Sequence, residues 1–273
     1  MRHWCAALAV LALAVTPLTA VLPGIPAASG APARAVSDSP VAGLAAHGGT
    51  FLAAPHSVPG GALGPGGGHE QSSDNWSGYA AHGATYKRVS AHWTEPSVTC
   101  PSGSQFSSFW VGLDGFTSNS VEQTGSEADC DGGRPRYYAW YEMFPAASVN
   151  FGDRVKPGDH FYADVVYSGG GKYALIIKDY TQHWSKTVHA RAHAKNASAE
   201  VILEAPCCTN NGGILPLAHF SPVAFTSAQV DGKPIGALHP TGMFMATDSG
   251  DRQDRVTALR QRTDFTATWV ASH

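Results

Sequence analysis

Three short segments of this chain each carry a carboxylate in a setting that could do chemistry. In Ser107-Ser108-Phe109-Trp110-Val111-Gly112-Leu113-Asp114-Gly115, a strand would point Val111 and Leu113 to one side and Trp110, Gly112 and Asp114 to the other. In Tyr137-Tyr138-Ala139-Trp140-Tyr141-Glu142, the residues Tyr138, Trp140 and Glu142 share a face. In Ala199-Glu200-Val201-Ile202-Leu203-Glu204, the residues Ala199, Val201 and Leu203 suit a core, which turns Glu200, Ile202 and Glu204 away from it. Carboxyl groups beside tryptophans on one sheet face would line a substrate groove and supply acid–base groups. Each residue also has a plainer reading. Trp110 and Trp140 are ordinary core aromatics, Asp114 before Gly115 is a turn residue, and Glu200 and Glu204 are solvated charges. Gln123, in a turn-like Gln-Thr-Gly segment, says nothing taken alone.

Other chemistries find less support. There is no Gly-x-Ser-x-Gly nucleophile elbow and no His-Glu-x-x-His zinc motif. His189 and His193, with Arg191 between them, read as one polar strand face rather than as metal ligands. Asp248-Ser249-Gly250 matches the tripeptide of the paired-aspartate proteases only once and lies in a loop-like stretch. No metal site is expected.

The elements that must position these groups are strands. From Asn75 onward, short alternating segments rich in β-branched and aromatic residues sit between Gly, Pro, Ser and Asn clusters. His160–Tyr167, Tyr173–Tyr180, Ser198–Glu204 and Phe265–Val270 are examples. Helical periodicity is scarce, with Arg252–Arg262 the one short helix that could form. The expected fold is all-β, an antiparallel sandwich or jelly roll. Cys100 and Cys130 are the favoured disulfide, closing a loop worth roughly 3–4 kcal/mol. Cys207 and Cys208 are adjacent and could form a strained vicinal bond.

Ahead of this domain, Met1-Arg2-His3 and the apolar run Ala6–Val15 form a secretory signal pattern, too short to span a bilayer. The expected division is a signal peptide over 1–31, a Gly/Pro/Ala-rich pro-segment or linker over 32–71, and a β domain over 72–273. Export to the extracellular space follows, with no membrane association once the signal is removed. The net charge of −3 and the absence of a basic stripe argue against a nucleic-acid partner. Charged residues make up only 14% of the chain, which suits a protein working in acid, where many carboxylates are neutral.

Read in order, several strings resemble the glutamic peptidase (eqolisin-type) family. They are Asn75-Trp76-Ser77-Gly78, Trp93 with Pro96, Ser108–Gly115, Val121-Glu122-Gln123-Thr124-Gly125, Ala139–Glu142 and Ala199–Glu204. The resemblance runs from about Asn75 to the C-terminus. It implies a concanavalin A-like sandwich with its substrate groove on a concave sheet face. It places the catalytic pair on Gln123 and Glu204, with Trp110, Asp114, Trp140 and Glu142 as groove residues that position the pair. It further implies polypeptide substrates, acidic working conditions, indifference to pepstatin and no cofactor. A monomer is expected. The chain departs from the family at Val201, where a Trp is usual, and at Ala205-Pro206 and Cys207-Cys208. These changes bear on substrate preference more than on the chemistry. Two rival readings remain at this point. One is a glycoside hydrolase using Glu142 with Glu204. The other is a non-catalytic carbohydrate-binding module stacking sugars on Trp110, Trp140 and tyrosines. Glu200 and Glu204 cannot be a retaining pair, because four residues of strand hold them about 13 Å apart.

Overall fold

The computed structural model describes residues 70–207 and 213–272. The expected signal peptide, all but the last two residues of the expected pro-segment, and Cys208 lie outside the described residues. In chain order the strands are β1 (Glu70–Ser73), β2 (Trp76–His82), β3 (Arg88–Thr94), β4 (Val98–Thr99), β5 (Ser108–Leu113) and β6 (Val121–Asp131). Next come β7 (Arg134–Phe144), β8 (Val149–Asn150), β9 (His160–Tyr167), β10 (Lys172–Asp179), β11 (Trp184–Arg191) and β12 (Ser198–Glu204). The last are β13 (His219–Phe220), β14 (Val223–Val230), β15 (Lys233–Pro234), β16 (Thr241–Met245), β17 (Asp254–Val256) and β18 (Phe265–Trp269). A 3-10 turn at Ile235–Leu238 is the only helical element among the described residues.

Two large sheets hold most of these strands. The front sheet runs β1-β16-β2-β12-β5-β6-β7-β8, and the back sheet runs β11-β10-β9-β3-β14-β18-β17. Except for β1 with β16, the strand pairs are antiparallel. Alternation decides which side chains meet. Phe109, Val111 and Leu113 of β5 and Val201 and Leu203 of β12 pack into one inter-sheet core with Phe161, Leu175, Ile177 and Phe225 of the back sheet. Full burial of such a side chain contributes about 1.5–3 kcal/mol relative to exposure. The Cys100–Cys130 disulfide, with Cα atoms 5.4 Å apart, ties the β4–β5 connection to the end of β6.

The front sheet is buried on its outer face too. There a second apolar cluster gathers Trp76, Trp110, Trp140, Ile202 and Met243, with Phe116, Tyr138 and Phe144 against it. Polar groups also reach into the inter-sheet core. Glu95 Oε2 accepts a 2.5 Å hydrogen bond from Ser126 Oγ, which in turn accepts one of 2.9 Å from Trp93 Nε1. Burial pushes the Glu95 carboxyl well above its ordinary range.

The helix expected over Arg252–Arg262 does not form. Asp254 is fully buried there and accepts hydrogen bonds from the Ser77 hydroxyl and the Met245 amide. An acid held by two neighbouring strands fixes its own segment as the extended β17, and tertiary contacts override the weak local preference.

Candidate active site

The register of the front sheet sorts the outer-face side chains into rows. One row crosses β2, β12, β5, β6 and β7 as Ala80, Glu200, Gly112, Gln123 and Glu142. The next is Gly78, Ile202, Trp110, Gly125 and Trp140. The third is Trp76, Glu204, Ser108, Glu127 and Tyr138. Cross-strand partners lie on the same face, so each row is a line of neighbours. Gln123 and Glu204 occupy rows four residues apart, with the Trp110 row between them, and strands two apart. Their Cα atoms are therefore about 16 Å from one another, whereas Glu200, in the row of Gln123, is about 10 Å from it.

Glycines in these rows make room for the indoles. A Cβ at Gly112 would come within 2.9 Å of the Trp110 ring and 3.1 Å of Gln123 Cβ. At Gly125 it would collide with the Phe109 carbonyl and Trp110 Cβ. Trp110 thus lies over Gly112, with its six-membered ring toward Gln123. Its other end donates from Nε1 to Glu204 Oε2 at 2.9 Å. A single rigid side chain links the rows of Gln123 and Glu204. Trp76 packs edge-on against it, with ring centroids 4.9 Å apart.

The two polar groups have different partners. Gln123 Nε2 donates to Glu142 Oε2 at 2.6 Å, directly across the β6–β7 pair. Glu204 accepts from Trp110 and, at 3.4 Å, from Asn75 Nδ2. Gln123, Glu142, Glu204, Trp110 and Trp140 are all buried. Burial pushes the Glu204 carboxyl up to about 8, with the Glu127 carboxyl adding to the shift and the Trp110, Trp76 and Asn75 donors opposing it. Burial likewise takes Glu142 to about 9, reinforced by Glu204 and opposed by Gln123. Glu127 rises to about 8, chiefly through burial, with Glu142 contributing.

The structure brings Trp110, Trp140, Gln123, Glu142 and Glu204 onto one face, and Asp114 stands apart from them. Asp114 follows the end of β5 with φ at 69°, where strand alternation no longer applies. Its carboxylate accepts from the Asn196 and Ala197 amides at 2.5 and 2.8 Å and from the Ser118 hydroxyl at 2.8 Å. It fastens two loops together. Gln123 differs from its turn-like reading as well. It sits inside the eleven-residue strand β6, because a glycine two residues on serves close packing against Trp110 rather than a bend. Asn75 and Glu127 went unassigned in the sequence, although the alternation from Gln123 through Gly125 leads directly to Glu127. Nothing in the sequence marked Asn75 as a donor to Glu204. Among the described residues no three acidic, histidine or cysteine side chains are grouped as a metal ion requires.

The model of the Peptidase A4 family matches residues 74–267. The chain belongs to this family. Aspergillopepsin-2 of Aspergillus niger is 26% identical over 207 residues, covering 66% of this chain and 73% of that protein. Aspergilloglutamic peptidase from Aspergillus niger superimposes with a TM-score of 0.53 at 25% identity, over 61% of this chain and 99% of that one. Scytalido-glutamic peptidase, solved with a transition state analog inhibitor, gives a TM-score of 0.62 at 24% identity, over 72% of this chain and 98% of that one. The protein is a glutamic peptidase, a hydrolase of peptide bonds with polypeptide substrates, on the β-sandwich fold of its relatives. This membership removes the glycoside hydrolase and binding-module readings. The membership also agrees with the contacts of Glu204, which hydrogen-bonds an indole and an amide rather than a second carboxyl.

Proposed function

We propose that this glutamic peptidase is an exported acid endopeptidase whose Glu204 and Gln123 act together on the scissile bond. The single observation that carries the reading is the Trp110 indole, which hydrogen-bonds Glu204 at one end and at the other covers Gly112, the cross-strand neighbour of Gln123. Glu204, as carboxylate, takes a proton from the attacking water. Glu204, as acid, then gives that proton to the leaving amine nitrogen. Gln123 has one amide N–H engaged by Glu142, which fixes the plane of the amide. Its second N–H is left to donate to the developing oxyanion. Glu142 is a positioning residue in this scheme.

Acid operation has a condition. A carboxyl held at about 8 is almost wholly protonated at pH 4 and cannot accept a proton from water. The working enzyme therefore has water over Glu204, which relieves the burial that raises it. The indole and Asn75 donors, which favour the ionised form, then dominate. Removal of the chain ahead of about Gln71 is expected from its Gly/Pro/Ala-rich composition. None of the described helical residues could cross a membrane. Export rests on the signal pattern of the first residues.

The test is digestion of a denatured protein by acid-treated enzyme across pH 2–7, with and without pepstatin, alongside N-terminal sequencing. The expected result is activity below about pH 5, unaffected by pepstatin, from a chain beginning near Gln71. Pepstatin presents a transition-state mimic to paired aspartates, and this face has a Glu and a Gln instead. Complete inhibition by pepstatin, or full activity at pH 8, would overturn the proposal.

A further inference from the structure

The outer face of the back sheet ends, at its β10–β11 edge, in an arrangement that works against folding. Lys172 and Arg191 are directly opposite one another in the antiparallel ladder. Opposed cross-strand side chains have Cβ atoms about 5 Å apart, and like charges there are destabilising. His189, two residues before Arg191 on β11, points to the same side. All three are exposed. Among the described residues none of them has a carboxylate within ion-pair distance, whereas Arg88 and Lys186 on the same sheet are paired with Asp164 and Asp153. A concavity of about 540 Å³ opens at this corner, and Ser168 and Tyr173 join the three basic residues in lining it.

From these two independent features, the unneutralised like-charge pair and the hollow beside it, we propose a binding site for a phosphate group. Two permanent positive charges match a phosphate dianion better than a single carboxylate. Arg191 can engage two oxygens at once, Lys172 supplies a compact charge, and His189 and the Ser168 hydroxyl add donors at the rim. A bound phosphate would turn the Lys172–Arg191 repulsion into two attractions. The site lies on the sheet opposite the catalytic face. A phosphate-rich polymer held there would leave the groove facing outward. Free phosphate and polymeric phosphate share the chemistry, and the experiment separates them.

The intact protein is titrated calorimetrically with inorganic phosphate and, separately, with tripolyphosphate, at fixed pH and ionic strength. The expected result is saturable binding that weakens by at least about tenfold in the double variant Lys172→Gln/Arg191→Gln, the loss expected for two charge-assisted contacts. Binding by the Lys233→Gln variant, a change of an exposed lysine on β15, is expected to match the parent. Peptidase activity is expected to be equal in all three proteins, which separates this site from the catalytic reading. Tighter binding of tripolyphosphate assigns a polymeric ligand, and equal affinity assigns a free phosphate or monoester. No saturable binding of either probe, or equal binding by the double variant, overturns the proposal.

Discussion

The two large sheets treat their outer faces in opposite ways. On the back sheet, β11 alternates half-buried and exposed residues along its whole length; its Lys186 pairs with Asp153, and its Arg191 faces Lys172 at the exposed edge. On the front sheet, ten of the eleven residues of β6 are buried, including Glu122, Gln123 and Glu127. A sheet covered on both sides normally reads as a run of apolar residues. The front sheet instead buries carboxyls on both faces, and each one costs solvation free energy. Stability alone would not select that arrangement. The polar groups of the outer face surround two tryptophans and the Gln123–Glu142 pair, whereas the back sheet carries its cations where they remain hydrated.

The largest expected effect that tests this contrast is on the front sheet. Glu204→Gln keeps size and most hydrogen-bonding capacity but removes the base, so hydrolysis at acidic pH should fall to background while circular dichroism is unchanged. Retained activity would reassign the water-activating residue. Gln123→Ala should lower kcat by about 100- to 1000-fold, the usual cost of one oxyanion donor. Glu142→Leu, which leaves the Gln123 amide without its anchor, should fall between that value and the parent. In the same assay Glu200→Gln should cost far less. Glu200 lies in the row of Gln123 but across Gly112 from it, and no hydrogen bond of normal geometry reaches its carboxyl. The Ser198 hydroxyl and the Phe116 backbone are still near enough to favour its ionised form slightly. If Glu200→Gln were the dead variant, the water-activating residue would be Glu200 rather than Glu204.

Stability against pH gives a second, smaller difference between the sheets. Glu95, Glu122, Glu127, Glu142, Glu200, Glu204 and Asp254 are all raised by burial, with Asp254 at about 7 and Glu142 at about 9. A carboxyl raised in the folded state binds its proton more tightly there than in the unfolded chain. Its contribution is complete below the unfolded value near 4.5 and is lost as pH climbs toward the folded value. The thermal midpoint should therefore fall steadily between about pH 4.5 and pH 8. Glu95→Gln, which keeps a neutral partner for Ser126, should flatten part of that fall, and an unchanged slope would show that Glu95 does not contribute. The smallest effect belongs to the back sheet. Lys186 and Asp153 are both partly exposed where they pair, so Lys186→Gln should cost no more than about 1 kcal/mol in a denaturant titration.

Asn75-Trp76-Ser77 and Asn196-Ala197-Ser198 each carry the local pattern of a glycosylation sequon, and the fold closes off both. Asn75 is fully buried with its amide on Glu204, and Asn196 is nearly so, accepting from the Tyr173 hydroxyl at 2.7 Å. Neither is presented as a glycan acceptor in the folded domain.

Much of this molecule was legible from residue order. Alternation alone placed His160–Tyr167 and Ser198–Glu204 as strands and turned Val201 and Leu203 to the core and Glu204 away from it. Period-two patterning survives folding because a strand's side chains have only two directions to point. The family and its chemistry were readable for a related reason, since several short motifs in fixed order are far less common than any one of them. What the sequence left open is whatever depends on which strands become neighbours. Register across β2, β12, β5, β6 and β7 put Gln123 beside Glu142 rather than Glu204, laid Trp110 over Gly112, and brought Asn75 to a carboxyl 129 residues away. It also drew Asp254 into an extended segment that local preference would have coiled, and tied Asp114 to the Asn196 and Ser118 segments. Hydrogen-bond geometry and burial act over a few ångströms in space, and only the assembled sheets define those distances.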